Sequence, residues 1–209
     1  MSSFDSERST DLDMETAFEN DTKTIPLFLI ESISNILSNI IIKNKSLPYY
    51  PQLLKRQSKL PFNAQYIPSI SINDYLRRVV TYTKLEEETL ISSLIFIDRL
   101  CNSQSIILTE LNIHRIIFTS VLLSIKYNED LIFKMDYYAE ICGVSASELK
   151  KLENVYCKAM EFNFYINESE FEQYKSYLYS GSMQSMSQTA YRKINYEYIN
   201  KNTVPVCRQ

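Results

Sequence analysis

The chain contains almost no glycine, and this scarcity restricts its possible folds more than any other feature of the sequence. Gly143 and Gly181 are the only two glycines among the 209 residues. Loops that hold phosphate groups in nucleotide-binding enzymes need several glycines within a few positions, because their backbone must approach the phosphates closely. The sequence therefore argues strongly against nucleotide-binding folds of the P-loop and dinucleotide-binding types.

Histidine is also scarce. His114 is the only histidine, and it lies in an apolar helical run, where a single histidine is more often a packed or surface residue than a catalytic base. The cysteines are far apart and form no Cys-x-x-Cys pair, so we interpret them as reduced, mostly buried side chains: Cys101, Cys142, Cys157 and Cys207. We predict a protein that is not an enzyme, with no catalytic or metal site, no cofactor and no small-molecule substrate.

Charge and hydropathy limit the possible partners and the location. The net charge is -3, and the short basic clusters are interpreted as solvated helix faces: Lys55-Arg56, Arg77-Arg78 and Lys150-Lys151. Nucleic-acid binding usually requires a basic patch, so we expect no nucleic-acid partner. The most apolar stretch, residues 25–42, is interrupted by polar side chains, and the N-terminus is acidic without a secretory signal. We expect no membrane association and a location inside the cell, in the nucleus and/or cytoplasm.

Apolar residues recur at helical spacing in most of the chain, and no alternating strand pattern is present. A first amphipathic helix is predicted over residues 25–42, followed by a connector over residues 47–71 that holds four prolines. Because this connector also carries several aromatic side chains, we expect it to pack as an ordered strap. Five helices and a short final helix over about residues 170–179 then follow, and the third of the five is apolar on nearly every side, as expected of a central, buried helix.

Specific residues indicate where these helices begin and end. Ser71 with Asp74 and Ser145 with Glu148 have the spacing of N-terminal capping boxes. Thr109 is predicted to cap the third of the five helices, and Gly143 to end the fourth. We predict one all-α domain over residues 24–182, between a disordered acidic tail at 1–23 and a polar tail at 183–209.

Three stretches, in matching order and spacing, are similar to sequence blocks of the cyclin family. The stretch Pro68-Ser-Ile-Ser-Ile-Asn-Asp-Tyr-Leu-Arg-Arg-Val resembles the opening of P/U-type cyclins, which act in phosphate signalling. Phe96-Ile-Asp-Arg-Leu resembles the Tyr-Ile-Asp-Arg block of the cyclin box. Ser124-Ile-Lys-Tyr-Asn-Glu-Asp and the run from Glu148 to Phe164 resemble two further blocks, so that the similarity spans about residues 25–180.

The resemblance implies a five-helix cyclin box with an additional N-terminal helix and a short C-terminal helix. It implies a regulatory subunit that binds and activates a cyclin-dependent protein kinase, chiefly through the mobile C helix of the kinase. By position in the matching blocks, the kinase-binding residues would be the charged pair Lys126 and Glu153 with the apolar set Leu123, Tyr127, Cys157, Phe162 and Phe164. The hydrophobic docking patch of mitotic cyclins is not reproduced, because residues 68–72 occupy its place.

The charged residues of these blocks have plausible roles and ordinary alternatives. Lys126 and Glu153 lie on otherwise apolar helices, where a charged pair can hydrogen-bond a partner's backbone; alternatively they form a surface ion pair worth less than about 1 kcal/mol. Asp98 falls in an apolar stripe, so we interpret it as a partly buried structural carboxylate that needs a partner. Mitotic cyclins have an arginine for this purpose where this chain has Ser69, and Arg78 is the candidate replacement.

Two other functions remain open. A cyclin-box adaptor of the transcription-factor type would bind nucleic acid, which a salt-titrated DNA-binding assay would detect. A scaffold would bind a kinase without activating it, and a kinase assay with and without the chain would separate that case from a true activator.

Overall fold

The computed structural model describes residues 25–48, 50–104 and 106–180, and its regular secondary structure is entirely helical. The predicted tails at residues 1–23 and 183–209 lie outside this part of the chain. The helices are α1 (Leu27–Lys45), α2 (Tyr50–Gln57), α3 (Ile72–Thr83), α4 (Glu87–Gln104), α5 (Ile113–Asn128), α6 (Met135–Cys142), α7 (Ala146–Ala159) and α8 (Glu168–Ser180). The predicted five-helix unit corresponds to α3–α7, and the prediction of an all-α fold is confirmed.

The helix α5 lies at the centre of the bundle. Eleven of its sixteen residues are buried, and α4, α7, α3 and α6 pack around it. The buried hydroxyls of Thr119 and Ser120 donate to carbonyls one turn back, at Arg115 and Ile117, so they do not need water. The expectation of a central helix that is buried on nearly every side is therefore confirmed.

The additional helices cover the outside of this unit. The α1 helix packs on α3 and α8, and α8 packs on α4. One face of α1 is buried at positions three or four residues apart, as in Leu29, Ile33, Leu37 and Ile41. The apolar stripe predicted over residues 25–42 therefore joins the common core.

Three of the predicted helix boundaries are confirmed in detail. The hydroxyls of Ser71 and Ser145 accept the backbone N–H groups of Asp74 and Glu148, at 3.0 and 3.2 Å. Gly143 ends α6 in the left-handed conformation, with φ of 78°. Ser145 and Glu148 do not form the complete capping box that the sequence predicts, because the carboxylate of Glu148 pairs with Arg115 at 2.8 Å.

The predicted start of α5 is wrong by one turn. Thr109 does not cap this helix; Asn112 precedes it, and the Asn112 side-chain oxygen accepts the Thr109 backbone N–H at 2.8 Å. Asn112 also donates from Nδ2 to the Ile107 carbonyl at 3.0 Å, and it is buried. A side chain that satisfies two backbone groups of the incoming turn outweighs the general preference for threonine at a helix cap.

The connector contains a helix that the sequence analysis did not predict. Pro51 lies in the first turn of α2, where its missing N–H is tolerated, so the proline that suggested a loop begins a helix instead. Residues 61–64 of the connector pack as expected: Phe62 is buried, the Ala64 N–H donates to the Leu111 carbonyl at 2.8 Å, and Arg115 donates to the Pro61 carbonyl at 3.0 Å. Tyr66 and Ile67 do not pack as predicted, because their side chains are 82% and 58% exposed.

Candidate functional site

The structure brings Lys126 and Glu153 together. Lys126 lies in the last turn of α5 and Glu153 in the middle of α7, and Nζ of the lysine is 2.5 Å from Oε1 of the glutamate. Their side chains are 32% and 19% exposed, so both charges remain partly accessible to a partner. An ion pair of this kind contributes at most about 1 kcal/mol to the stability of the fold. Its larger potential role is therefore in binding a partner.

Cys157 lies one turn after Glu153 on α7 and close to both charges. Burial raises the pKa of its thiol, the carboxylate of Glu153 raises this pKa further, and the ammonium of Lys126 lowers it. The thiol therefore stays protonated at neutral pH and behaves as a small apolar side chain rather than as a nucleophile.

An aromatic side chain follows Lys126 directly on α5. Tyr127 is 51% exposed, and its ring packs against the half-buried ring of Phe164 with centroids 6.1 Å apart. Phe164 in turn meets the buried Phe96 of α4 edge to face, with centroids 5.4 Å apart. Phe164 thus connects the core to the exposed ring of Tyr127 and holds that ring in place.

The turn after α7 presents Phe162 on a strained backbone. Glu161 and Phe162 have φ of 53° and 56°, in the left-handed region, and the side chain of Phe162 is 64% exposed. The Phe162 N–H donates to the Cys157 carbonyl at 2.9 Å, which ties the turn to α7. Each left-handed residue other than glycine costs roughly 1–2 kcal/mol, so the surrounding structure must hold this turn in place.

Leu123 has a different position from the other predicted contact residues. It lies one turn before Tyr127 on α5 and is only 5% exposed. Its side chain belongs to the core, and little of it is accessible to a partner. We use the name candidate surface for the six accessible residues: Lys126, Tyr127, Glu153, Cys157, Phe162 and Phe164.

Two residues that the sequence analysis did not single out position the candidate surface. Arg99 donates to the Asn163 carbonyl at 3.1 Å and pairs with Glu170 at 2.7 Å, which fixes the turn after α7. Glu129 follows α5 directly and accepts from the Glu86 N–H at 3.0 Å and the Thr89 hydroxyl at 2.6 Å, at the start of α4. Both residues lie within the sequence blocks that resemble cyclins, so this resemblance was the signal that could have identified them.

Asp98 and Arg78 have contacts that differ from the suggested pairing. The hydroxyl of Tyr174, on α8, donates to Oδ2 of the half-buried Asp98 at 2.7 Å. Burial is the main cause that raises the pKa of Tyr174, and the Asp98 charge adds to it, so the phenol keeps its proton and remains the donor. Arg78 instead donates to the Glu140 carbonyl at 3.1 Å, so the hypothesis that it partners Asp98 is wrong.

His114 forms a structural hydrogen bond. Its Nε2 lies 3.0 Å from the Ile70 carbonyl, and because a carbonyl can only accept, Nε2 carries the proton. Burial lowers the pKa of this imidazole, and its ring packs edge to face on Tyr75. Within residues 25–48, 50–104 and 106–180, no group of three or more His, Cys, Asp or Glu side chains is placed to hold a metal ion, and no helix is long and apolar enough to cross a membrane.

Comparisons with known proteins agree with the sequence blocks. The family model named Cyclin matches residues 17–164. Cyclin-U2-2 of Arabidopsis thaliana is 31% identical over 170 residues, which cover 78% of this chain and 71% of the relative. Cyclin-U2-1 of the same plant is 29% identical over 164 residues, covering 78% and 72%. PHO85 cyclin-7 of Saccharomyces cerevisiae is 27% identical over 203 residues, covering 85% and 71%.

Proposed function

The chain belongs to the cyclin family, with relatives of the P/U type, and we propose that it binds and activates a cyclin-dependent protein kinase by positioning the kinase C helix. Its helices α3–α7 form the cyclin box, α1, α2 and α8 are additions to it, and cyclins are regulatory subunits rather than enzymes. Two relatives are named for PHO85: PHO85 cyclin-7 of Saccharomyces cerevisiae and the PHO85 cyclin-like protein psl1 of Schizosaccharomyces pombe. These names support a kinase of that class as the partner of this chain.

The observation that carries the proposal is the composition of the candidate surface. The candidate surface combines a partly shielded ion pair, Lys126 with Glu153, with the aromatic residues Tyr127 and Phe162, whose side chains are more than half exposed. Centres of protein interfaces combine desolvated polar anchors with exposed aromatic groups in this way, and the aromatic groups exclude water when the partner binds. The surface therefore suits a helix of a partner protein, with the two charges directed at its backbone groups.

Activation follows from what such a surface does to a kinase. Phosphoryl transfer requires an ion pair between a lysine of the kinase and a glutamate of its C helix. A cyclin that binds only the inward position of that helix increases the population of active kinase and performs no chemistry itself. The rigid support of the candidate surface, through Arg99 and Glu129, matches this role because the surface must hold a mobile helix in one place.

The test begins with identification of the kinase by affinity purification and mass spectrometry, followed by reconstitution from purified components. Lys126→Ala and Glu153→Ala should each weaken kinase binding by about 2 kcal/mol, or roughly thirtyfold, and reduce activity accordingly. Lys175→Ala is the matched control, because Lys175 forms an ion pair of similar exposure with Glu87, 3.4 Å long, outside the candidate surface. This control should bind and activate like the unmodified chain.

Three results would contradict the proposal. If both variants stay folded and bind and activate like the unmodified chain, the candidate surface is not the kinase interface. If the unmodified chain binds the kinase but leaves its activity unchanged, the scaffold alternative is correct. If the chain binds DNA with a strong salt dependence, the adaptor alternative is favoured. We propose that the complex acts inside the cell, in the nucleus and/or cytoplasm.

A further inference from the structure

Positive charge is concentrated in one stretch of this acidic chain. From Glu31 to Asp74 the sequence contains no other acidic residue, yet it contains five cations: Lys43, Lys45, Lys55, Arg56 and Lys59. We call the surface that carries these five side chains the basic face. The net charge of the whole chain is -3, so the charge of the basic face is opposite in sign to that of the rest of the protein.

Two buried amides bring the two halves of the basic face together. Asn44, at the end of α1, donates to the Leu108 carbonyl at 3.0 Å. Gln57, at the end of α2, donates to the Ile107 carbonyl and accepts the Ile107 N–H, both at 3.1 Å. Because the two amides bind consecutive residues, the ends of α1 and α2 converge on one segment, and the cations beside them lie at one end of the molecule.

Most of this positive charge is not neutralised. Lys45 pairs with Glu110, but within the described part of the chain Lys55, Arg56 and Lys59 form no ion pair, and all three are exposed. By contrast, Arg77 and Arg115 each pair with a glutamate at 3.0 Å or less. The basic face thus exposes Lys55, Arg56 and Lys59, and within the described part of the chain no carboxylate forms an ion pair with these three that an anionic partner would have to displace.

The basic face is well separated from the candidate surface. The segment that holds α1 and α2 leads into the N-terminal end of α5, whereas Lys126 lies near the C-terminal end of that helix. A helix of sixteen residues spans about 24 Å. One partner can therefore occupy the basic face while another occupies the candidate surface.

We propose that the basic face docks an acidic segment of the protein that the bound kinase phosphorylates; this rests on the proposed function. Opposite charge speeds the encounter, and a second contact raises the effective concentration of substrate near the kinase. A peptide fits better than a nucleic acid, because the cations cover only a small area and the net charge of the chain repels an extended polyanion.

The direct test uses the full chain without kinase and a fluorescein-labelled decaglutamate peptide, measured by fluorescence anisotropy at low and physiological salt. Lys55→Glu/Arg56→Glu should weaken peptide binding roughly tenfold at low salt, the sum of several modest exposed charge interactions. The control Lys151→Glu/Lys158→Glu has the same change in charge at exposed positions on α7, on the side away from Glu153. It should weaken binding far less, and equal losses in the two variants would overturn the proposal.

Two further arms identify other occupants of the basic face. A labelled DNA duplex that binds more tightly than the peptide would overturn the proposal in favour of nucleic acid. A full chain in which the seven acidic residues of positions 1–24 are changed to amides tests the chain's own N-terminal segment. If this variant binds the peptide roughly tenfold more tightly, that segment occupies the basic face, and the proposal of a substrate is overturned.

A kinase assay separates this proposal from the proposed function. With reconstituted kinase, Lys55→Glu/Arg56→Glu should raise KM for a substrate that carries an acidic extension and leave the rate on the same substrate without the extension unchanged. Unchanged KM for both substrates would overturn docking while activation stands. If the chain binds the peptide but does not activate the kinase, the proposed function fails, and with it the identification of the acidic partner as a kinase substrate.

Discussion

At its N-terminal end α5 is held by buried side-chain amides, whereas its C-terminal end carries a partly exposed ion pair and exposed aromatic rings. Asn44, Gln57 and Asn112 are each at most 5% exposed, and each satisfies backbone groups of the turn before α5. At the other end Tyr127 is 51% exposed and Phe162 is 64% exposed on a strained turn.

The difference shows how one helix can combine a stability role with a binding role. Buried side-chain amides that hydrogen-bond backbone groups fix the N-terminal end, and loss of any one leaves a backbone group unsatisfied. At the C-terminal end, charges and aromatic rings are kept accessible although covering them would add stability. Substitutions at the first end should therefore change the free energy of unfolding, and those at the second should change partner binding.

The largest expected effect on stability is at Asn112, just before α5, and it is compared with Asn128 at the other end of this helix. Asn112→Ala removes one acceptor and one donor from buried backbone groups and should lower the free energy of unfolding by about 2 kcal/mol. Asn128→Ala, at the exposed last residue of α5, should change it by no more than about 0.5 kcal/mol. Urea denaturation of both variants measures the difference, and equal midpoints would remove the proposed contrast between the two ends.

A smaller change, in the opposite direction, is expected at the strained turn. Glu161→Gly removes the side chain from a residue with φ of 53° and should stabilise the fold by up to about 1 kcal/mol. Glu161→Ala keeps the Cβ and should not stabilise, so it is the matched control. If thermal melts show no stabilisation by glycine relative to alanine, this turn stores no strain.

The smallest expected effect is a pH dependence of stability, caused by His114 near the N-terminal end of α5. Burial lowers the pKa of His114 below its ordinary value of 6.5, so the unfolded chain binds more protons than the folded chain as the pH falls below neutrality. Stability should decrease as the pH falls through 6.5 towards the folded pKa. Since His114 is the only histidine, His114→Gln should remove this slope. Identical slopes between pH 7 and pH 5 would show that His114 does not cause it.

The sequence predicts one end of α5 better than the other. Lys126 and Glu153 are found because their sequence blocks are specific and because charges on apolar helices are unusual. Gln57 is missed because an amide that binds a backbone group 50 positions away leaves no local pattern. Asn112 is missed although its contacts lie three and five positions back, because Thr109 is also a preferred cap residue. The α2 helix is missed for a related reason: its proline, Pro51, indicates a loop, and the contact between Gln57 and Ile107 that holds the helix is not local.

The same reason explains the results for Asp98. Its place within an apolar stripe indicates that it needs a partner, and the hydroxyl of Tyr174, 76 positions later, donates to it. Arg78, which the sequence analysis suggested as this partner, donates to the Glu140 carbonyl instead. Local patterns thus show that a polar residue requires a partner, whereas the identity of the partner depends on how the helices pack.

The most direct test of the central claim, that the ion pair of the candidate surface faces the kinase, is the charge exchange Lys126→Glu/Glu153→Lys. This variant can form the same ion pair within the chain, so its melting temperature should stay close to that of the unmodified protein. Kinase binding, measured by calorimetry with the purified kinase, should still fall roughly thirtyfold, because the kinase groups that meet the two charges are not exchanged. A folded variant that binds the kinase with unchanged affinity would contradict the claim and reduce the pair to an ordinary surface ion pair.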